Sequence, residues 1–313
     1  MEPIQNASHA KSIIVIIKNQ EATTKIFSKK VVAYLELVKI FSSSKSTLYY
    51  GFCAFIGSLL AACWNLPIEA SLTAASAMTF SSFSIYALND IYDAKIDAIN
   101  DLGRPIPSGR VTMREAKVLT TVLFVAGAAI AFTVNLPVFL CVVLFSVLGI
   151  AYSVPPIRFK DGLFANVCWG LGIAAAILGG ASVTAINTSS IVAAFTLAFL
   201  TAGCGLTKDL KDLEGDRALN VHTLPIMLGE QGAIKAMTIA SIAGFPLLFW
   251  SLMFSNFNIA SLATIMLTMA LFAYSLLVLY RNPGSKIIYK KAYKLQAYAG
   301  FLIILAFMIS ALT

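Results

Sequence analysis

Nine apolar runs govern what this chain can fold into, at roughly 46–63, 67–88, 115–134, 136–153, 164–186, 189–207, 236–254, 258–280 and 295–312. A run of about 18 or more apolar residues is long enough to cross the hydrocarbon core of a bilayer as a helix, which pairs its backbone amides within its own segment. With 58% hydrophobic and 12% charged residues, the chain lacks the polar surface of a water-soluble globule. The pattern predicts an all-α polytopic membrane protein with nine transmembrane helices.

The cations give this topology a direction. Seven Lys and Arg precede the first run, and the others gather at the loops after the second, fourth, sixth and eighth runs. The short links near 64–66, 135, 187–188 and 255–257 carry none, and neither does the C-terminal tail. Lys and Arg in short loops mark the cytoplasmic side, so the N-terminus and the loops after even-numbered runs are expected there. The net charge of +8 then reports topology, and suits anionic lipid head groups. It gives no ground for nucleic-acid binding.

Residues 1–30 read as a polar N-terminal arm, whose apolar piece Ile13–Ile17 is too short to span. No secretory signal is expected, because the first long apolar run comes late and lacks a cleavage pattern. Residues 31–41 read as an interfacial helix leading into the first run. A single membrane domain, 31–313, accounts for the rest. All five cysteines fall in apolar runs without a CxxC pair, and are expected to pack as small hydrophobes.

Chemistry concentrates in two acidic clusters. In the first, Asn89, Asp93 and Asp97 recur every four residues with Asp90 beside them, a spacing that shares one helical face. In the second, Asp209, Asp212 and Asp216 are spaced i, i+3, i+7, again one face. Carboxylates so crowded repel one another unless a cation lies between them, and hard oxygen ligands suit Mg²⁺, which bridges carboxylates to substrate phosphates. Solvated loop carboxylates would explain one such cluster, but not two in a chain with eight aspartates, seven of them in or just after these motifs. The turn-rich stretch after the first cluster carries Arg104 and Arg110, which serve either as topological anchors or as guanidinium forks for a diphosphate. Acidic residues at one membrane face, rather than at the midplane on broken helices, argue against a cation transporter.

Asn89 to Asp97 reads NDIYDAKID and Asp209 to Asp216 reads DLKDLEGD, which resemble the NDxxDxxxD and DxxDxxxD motifs of the UbiA superfamily of intramembrane prenyltransferases. Tyr152 to Lys160, YSVPPIRFK, is similar to that family's YSxPPxRxK element. The resemblance extends over essentially the whole chain after about residue 30. It implies transmembrane helices around a central prenyl-diphosphate cavity. Mg²⁺ would be held by Asn89, Asp90, Asp93 and Asp97 on one side and by Asp209, Asp212 and Asp216 on the other. Asp93, Asp97, Asp212 and Asp216 carry the catalytic expectation. Ser153, Arg158, Lys160 and Lys208 join Arg104 and Arg110 as expected diphosphate contacts. Tyr86 and Tyr152 are expected at the pocket, although Tyr152 also suits an interfacial belt. The small residues of the fifth run fit either close helix packing or a groove for an isoprenoid chain.

The EGDR…TLP stretch, Glu214 to Arg217 and Thr223 to Pro225, is shared by the archaeal ether-lipid, chlorophyll and homogentisate branches. The branch-level resemblance implies a geranylgeranyl diphosphate donor with geranylgeranylglyceryl phosphate as the favoured lipid-like acceptor. Chlorophyllide and aromatic quinone precursors are the alternative acceptors. Membrane lipid is the expected surrounding; no protein partner is implied.

Overall fold

The computed structural model describes residues 29–40, 46–62, 65–100, 103–218, 221–254 and 258–311. Most of the expected N-terminal arm, and Cys63, lie outside these residues. A short helix, α1, runs over 29–37. Nine longer helices follow: α2 (Ser46–Ala62), α3 (Ile68–Asn100), α4 (Met113–Val134), α5 (Leu136–Ser153), α6 (Ala165–Ala181), α7 (Thr188–Ala218), α8 (Leu224–Met253), α9 (Ile259–Arg281) and α10 (Lys286–Ala311). No strand occurs among the described residues.

Local signals set several of these ends. Thr112 and Glu115 form a reciprocal capping box at the start of α4, and Asn258 with Ser261 does the same for α9. Asn135 caps α5, followed by Pro137 in its first turn, where a missing N–H costs nothing. Gly229, at φ 72°, breaks the first turns of α8 away from the rest.

The helices pack as two groups. In the first, α3 contacts α2, α4 and α5, and α6 closes against α2 and α5; in the second, α7 contacts α8 and α10, and α9 lies against α8 and α10. The α6–α7 and α2–α10 contacts join them. One apolar cluster centres on Ile56, Met78, Ile173, Ile177 and Phe307. Another joins Leu210, Ile234, Met237 and Leu279. A small cavity of about 30 Å³ lies at the seam, lined by Tyr49, Thr201, Cys204 and Gln296 among others.

The two readings of the small residues in α6 meet a steric fact. A methyl group on Gly180 would collide with the Ala54 carbonyl, one on Gly57 with the Ile177 carbonyl, and one on Gly170 with the Ala198 carbonyl. These glycines bring α6 against α2 and α7 at backbone distance. Ser58 then donates to the Gly180 carbonyl across the contact at 2.9 Å.

Among the described residues, six helices are long and apolar enough to cross a membrane: α4, α5, α7, α8, α9 and α10. α2 and α6 are apolar but short, and α3 is long but rich in hydroxyl and charged side chains. The protein is therefore an all-helical polytopic membrane protein, while the expected count of nine spans is not reached on length and composition.

Candidate active site

α3 continues without a break through Asn89, Asp90, Asp93 and Asp97 to Asn100. The three carboxylates are buried, and the helical rise spreads them over about 10 Å of its axis. Each meets a cation from another segment. Lys39 Nζ donates to both oxygens of Asp90, at 2.7 and 2.8 Å. Arg104 Nη1 lies 2.6 Å from Asp97 and 3.4 Å from Asp90. Arg158 Nη2 reaches Asp93 at 3.0 Å, and Lys160 Nζ bonds both oxygens of the same carboxylate. Beyond Leu88, where the apolar part of α3 ends, burial raises the pKa of Asp90 against the pull of Lys39 and Arg104. Burial likewise raises that of Asp97, against the pull of Arg104.

The second cluster occupies the last turns of α7. Asp209 is buried and accepts the Asn166 Nδ2 amide at 2.8 Å, from the first turn of α6. Asp212 is half-buried, with Lys211 at 3.6 Å. Asp216 accepts Thr223 Oγ1 at 3.4 Å. Lys208 lies within electrostatic reach of Tyr152, Asp209, Asp212 and Tyr293.

The α5–α6 connection ties the two clusters together. At the end of α5 the buried Ser153 accepts from Asn89 Nδ2 at 3.3 Å. Arg158, at φ 36°, forks between Asp93 and Asp161, the latter at 2.5 Å. The Asp161 carbonyl accepts the His222 backbone N–H at 3.0 Å, which pins the segment after α7. An open cleft of about 470 Å³ borders this connection, lined by Pro155, Arg158, Asp161 and Phe164 among others.

Of the residues singled out in the sequence, eight make three bonded sets along the end of α3: Asn89 with Ser153, Asp90 and Asp97 with Arg104, and Asp93 with Arg158 and Lys160. Arg110 turns away from it: Nη1 pairs with Glu36 at 2.6 Å and Nη2 donates to the Gly103 carbonyl at 2.6 Å. Tyr86 is half-buried against the first apolar cluster. Among the described residues no three Asp, Glu, His or Cys side chains converge as a metal-binding group. Protein cations stand between the carboxylates instead. Sequence reading also missed Lys39 and Asn166. Lys39 had one signal, a lone cation in the apolar stretch VVAYLELVKIF, and Asn166 another, an amide at the mouth of a glycine-rich run.

The UbiA prenyltransferase family model matches residues 50–309. Digeranylgeranylglyceryl phosphate synthase of Methanococcus maripaludis strain S2 is 34% identical over 284 residues, covering 90% of this chain and 98% of that protein. A solved structure concerning digeranylgeranylglyceryl phosphate synthase in membranes superposes with a TM-score of 0.68 at 25% identity, over 90% of this chain and 99% of that one. A UbiA homolog from Archaeoglobus fulgidus, bound to GPP and Mg²⁺, shares the fold with a TM-score of 0.68 at 21% identity, over 87% and 99% of the two chains.

Proposed function

The chain belongs to the UbiA prenyltransferase family, and from that we propose that it transfers a geranylgeranyl group from geranylgeranyl diphosphate to geranylgeranylglyceryl phosphate, a step of ether-lipid synthesis. The names of relatives that match 90% of it support this acceptor. One observation carries the reading. Three buried carboxylates of α3 each bind a Lys or Arg drawn from the turn after α1 and the loops after α3 and α5. Such a set has the charges of both signs that an anionic leaving group and its counter-ions require, at the end of an apolar bundle.

In the full reading all of α2–α10 cross the membrane, within a domain spanning 31–313, around a central cavity for the prenyl diphosphate. Both carboxylate clusters face the cytoplasm, as the Lys and Arg distribution supports. The donor set is all oxygen, six carboxylates and the Asn89 amide, which suits a hard divalent cation; the binding of GPP with Mg²⁺ by a neighbour in fold is consistent with it. Asn89, Asp90, Asp93 and Asp97 would hold one Mg²⁺, and Asp209, Asp212 and Asp216 a second. Bound Mg²⁺ supplies charge neutralisation for the diphosphate.

The protein's side chains do the rest. Arg104, Arg158 and Lys160 exchange carboxylate partners for phosphate oxygens, Lys208 adds its charge, and together they orient the donor; Arg110 contributes through α1 and the loop, and Ser153 aligns Asn89. The C1–O bond of the donor breaks with its electron pair leaving on the diphosphate. The free hydroxyl oxygen of the acceptor forms the new bond to C1 and gives up its proton, which the released diphosphate can take. Tyr86 and Tyr152 present aromatic faces to the allylic cation, and the surrounding apolar helices exclude water that would quench it.

The test is a product assay. Membranes holding the protein receive labelled geranylgeranyl diphosphate and Mg²⁺, with geranylgeranylglyceryl phosphate, chlorophyllide or an aromatic acid supplied separately. Label entering a double-chained glyceryl phosphate lipid is the expected result; label entering only a pigment or ring replaces the acceptor. Asp93→Ala and Asp212→Ala should each abolish turnover while the proteins stay folded in detergent, and full activity in both would overturn the carboxylate assignment.

A further inference from the structure

Lys39 stands on a piece of backbone that glycine would suit better. α1 ends with Ile40 N–H donating to the Leu35 carbonyl at 3.1 Å and Lys39 N–H donating to the Glu36 carbonyl at 3.0 Å. This paired pattern sets its next-to-last residue in the left-handed region, where helices most often carry Gly. Lys39 is there, at φ 63°. The backbone is held by other contacts: Ala33 and Leu37 pack on Ala87, Val111 and Ala116, while Lys30 pairs with Glu115 at 2.8 Å and Glu36 with Arg110 at 2.6 Å. The docking of α1 therefore does not depend on the strained residue alone. Its side chain reaches the first cluster, where the ammonium spans both oxygens of Asp90.

That contact divides the remaining charge. Arg104 lies between two carboxylates, close to Asp97 at 2.6 Å and further from Asp90 at 3.4 Å. With Asp90 covered by Lys39, the guanidinium is left to Asp97. Lys39 also precedes the residues 50–309 matched by the family model.

We propose that Lys39 is a positioning residue of the transfer site: it orients Asp90 beside Asp93 and Asp97 and so sets how the three carboxylates take up the metal–diphosphate pair. The inference rests on the prenyl-transfer reading above. It has a sharp consequence. Without the ammonium, Asp90 is bare, the cluster is more negative, and Arg104 is drawn off Asp97. The site then binds Mg²⁺ more readily but holds it in the wrong place.

Lys39→Gly tests this cleanly, because glycine relieves the left-handed strain and removes only the side chain. The detergent-purified full chain is melted with and without inorganic pyrophosphate over a Mg²⁺ series, and geranylgeranyl transfer is measured in parallel. Lys39→Gly should melt no lower than wild type without ligand. Its Mg²⁺ midpoint for stabilisation by pyrophosphate should fall by about threefold, while kcat drops by about tenfold or more with a smaller change in the donor KM. Lys39→Arg should restore both. Wild-type turnover and Mg²⁺ midpoint in Lys39→Gly would overturn the proposal, as would a lowered melting temperature with weakened Mg²⁺ binding that Lys39→Arg fails to restore. A shifted Mg²⁺ midpoint with no transfer by the wild type would support Lys39 and sink the acceptor reading instead.

Discussion

Asn166 on α6 donates its amide to Asp209 on α7 at 2.8 Å, with both side chains buried. Among the described residues this is the side-chain hydrogen bond that fixes the direction of the buried carboxylate in the second cluster, and a hydrogen bond to a buried charged group is worth about 1.5–3 kcal/mol. Asn166→Leu keeps the volume and removes the donor. It should lower the melting temperature in detergent and cut turnover; Asp209→Asn in the same background should lower the melting temperature little further, because for stability the two act as a unit. Two fully additive losses would show that Asn166 does not work through Asp209.

Arg104 and Arg110 were equal candidates in the sequence, but their partners differ. Arg104 touches Asp90 and Asp97, whereas Arg110, itself exposed, pairs with the half-buried Glu36 and the Gly103 carbonyl. Arg104→Met should therefore remove most turnover. Arg110→Met should act mainly through the docking of α1, at about 0–1 kcal/mol for an exposed pair, and should be matched by Glu36→Gln. Equal loss of turnover in Arg104→Met and Arg110→Met, with Glu36→Gln silent, would return Arg110 to the diphosphate.

The parts legible in the sequence were those with a period. The i, i+4 spacing from Asn89 to Asp97 and the i, i+3, i+7 spacing from Asp209 to Asp216 predict helix, and α3 and α7 run through both motifs. The partners of those carboxylates were not legible. Lys39 lies 51 residues from Asp90, Lys160 lies 67 from Asp93 and Asn166 lies 43 from Asp209. Such pairings depend on which helices pack together, and no local pattern reports that. The fifth run showed the same limit: its glycines were visible, but that Gly180 faces the Ala54 carbonyl required the fold. The hydroxyls of α3 gave no sign of their partners either: the buried Ser84 donates to the Thr120 carbonyl of α4 at 3.0 Å.

Burial raises the pKa of both Asp90 and Asp97. A raised carboxylate holds its proton to higher pH than an ordinary aspartate, and only the ionised form binds a metal. The sign is therefore fixed: lowering the pH protonates these groups and weakens the metal, and raising it restores binding. The Mg²⁺ concentration for half-maximal transfer should climb on going from about pH 7 to about pH 5, above the ordinary aspartate range. A Mg²⁺ requirement that stays flat across that interval would mean that neither group titrates there.

Gly180 sits where α6 crosses α2, with the Ala54 carbonyl against its Cα and Ser58 bonded to its own carbonyl. A Cβ here meets backbone, which cannot rotate aside as a side chain can, so the helices must part. Gly180→Ala should cost about 1–3 kcal/mol, the usual range for overpacking a filled core, and Gly180→Leu should prevent accumulation of folded protein. Gly215, whose Cβ would meet nothing nearby, is the matched control. Gly215→Ala should raise the melting temperature slightly by restricting the unfolded chain. Detergent melting curves for the three variants distinguish close helix packing from a lipid-lined groove. If Gly180→Ala melts like the wild type, the α2–α6 contact is loose enough to admit a methyl group, and these glycines line space rather than a tight crossing.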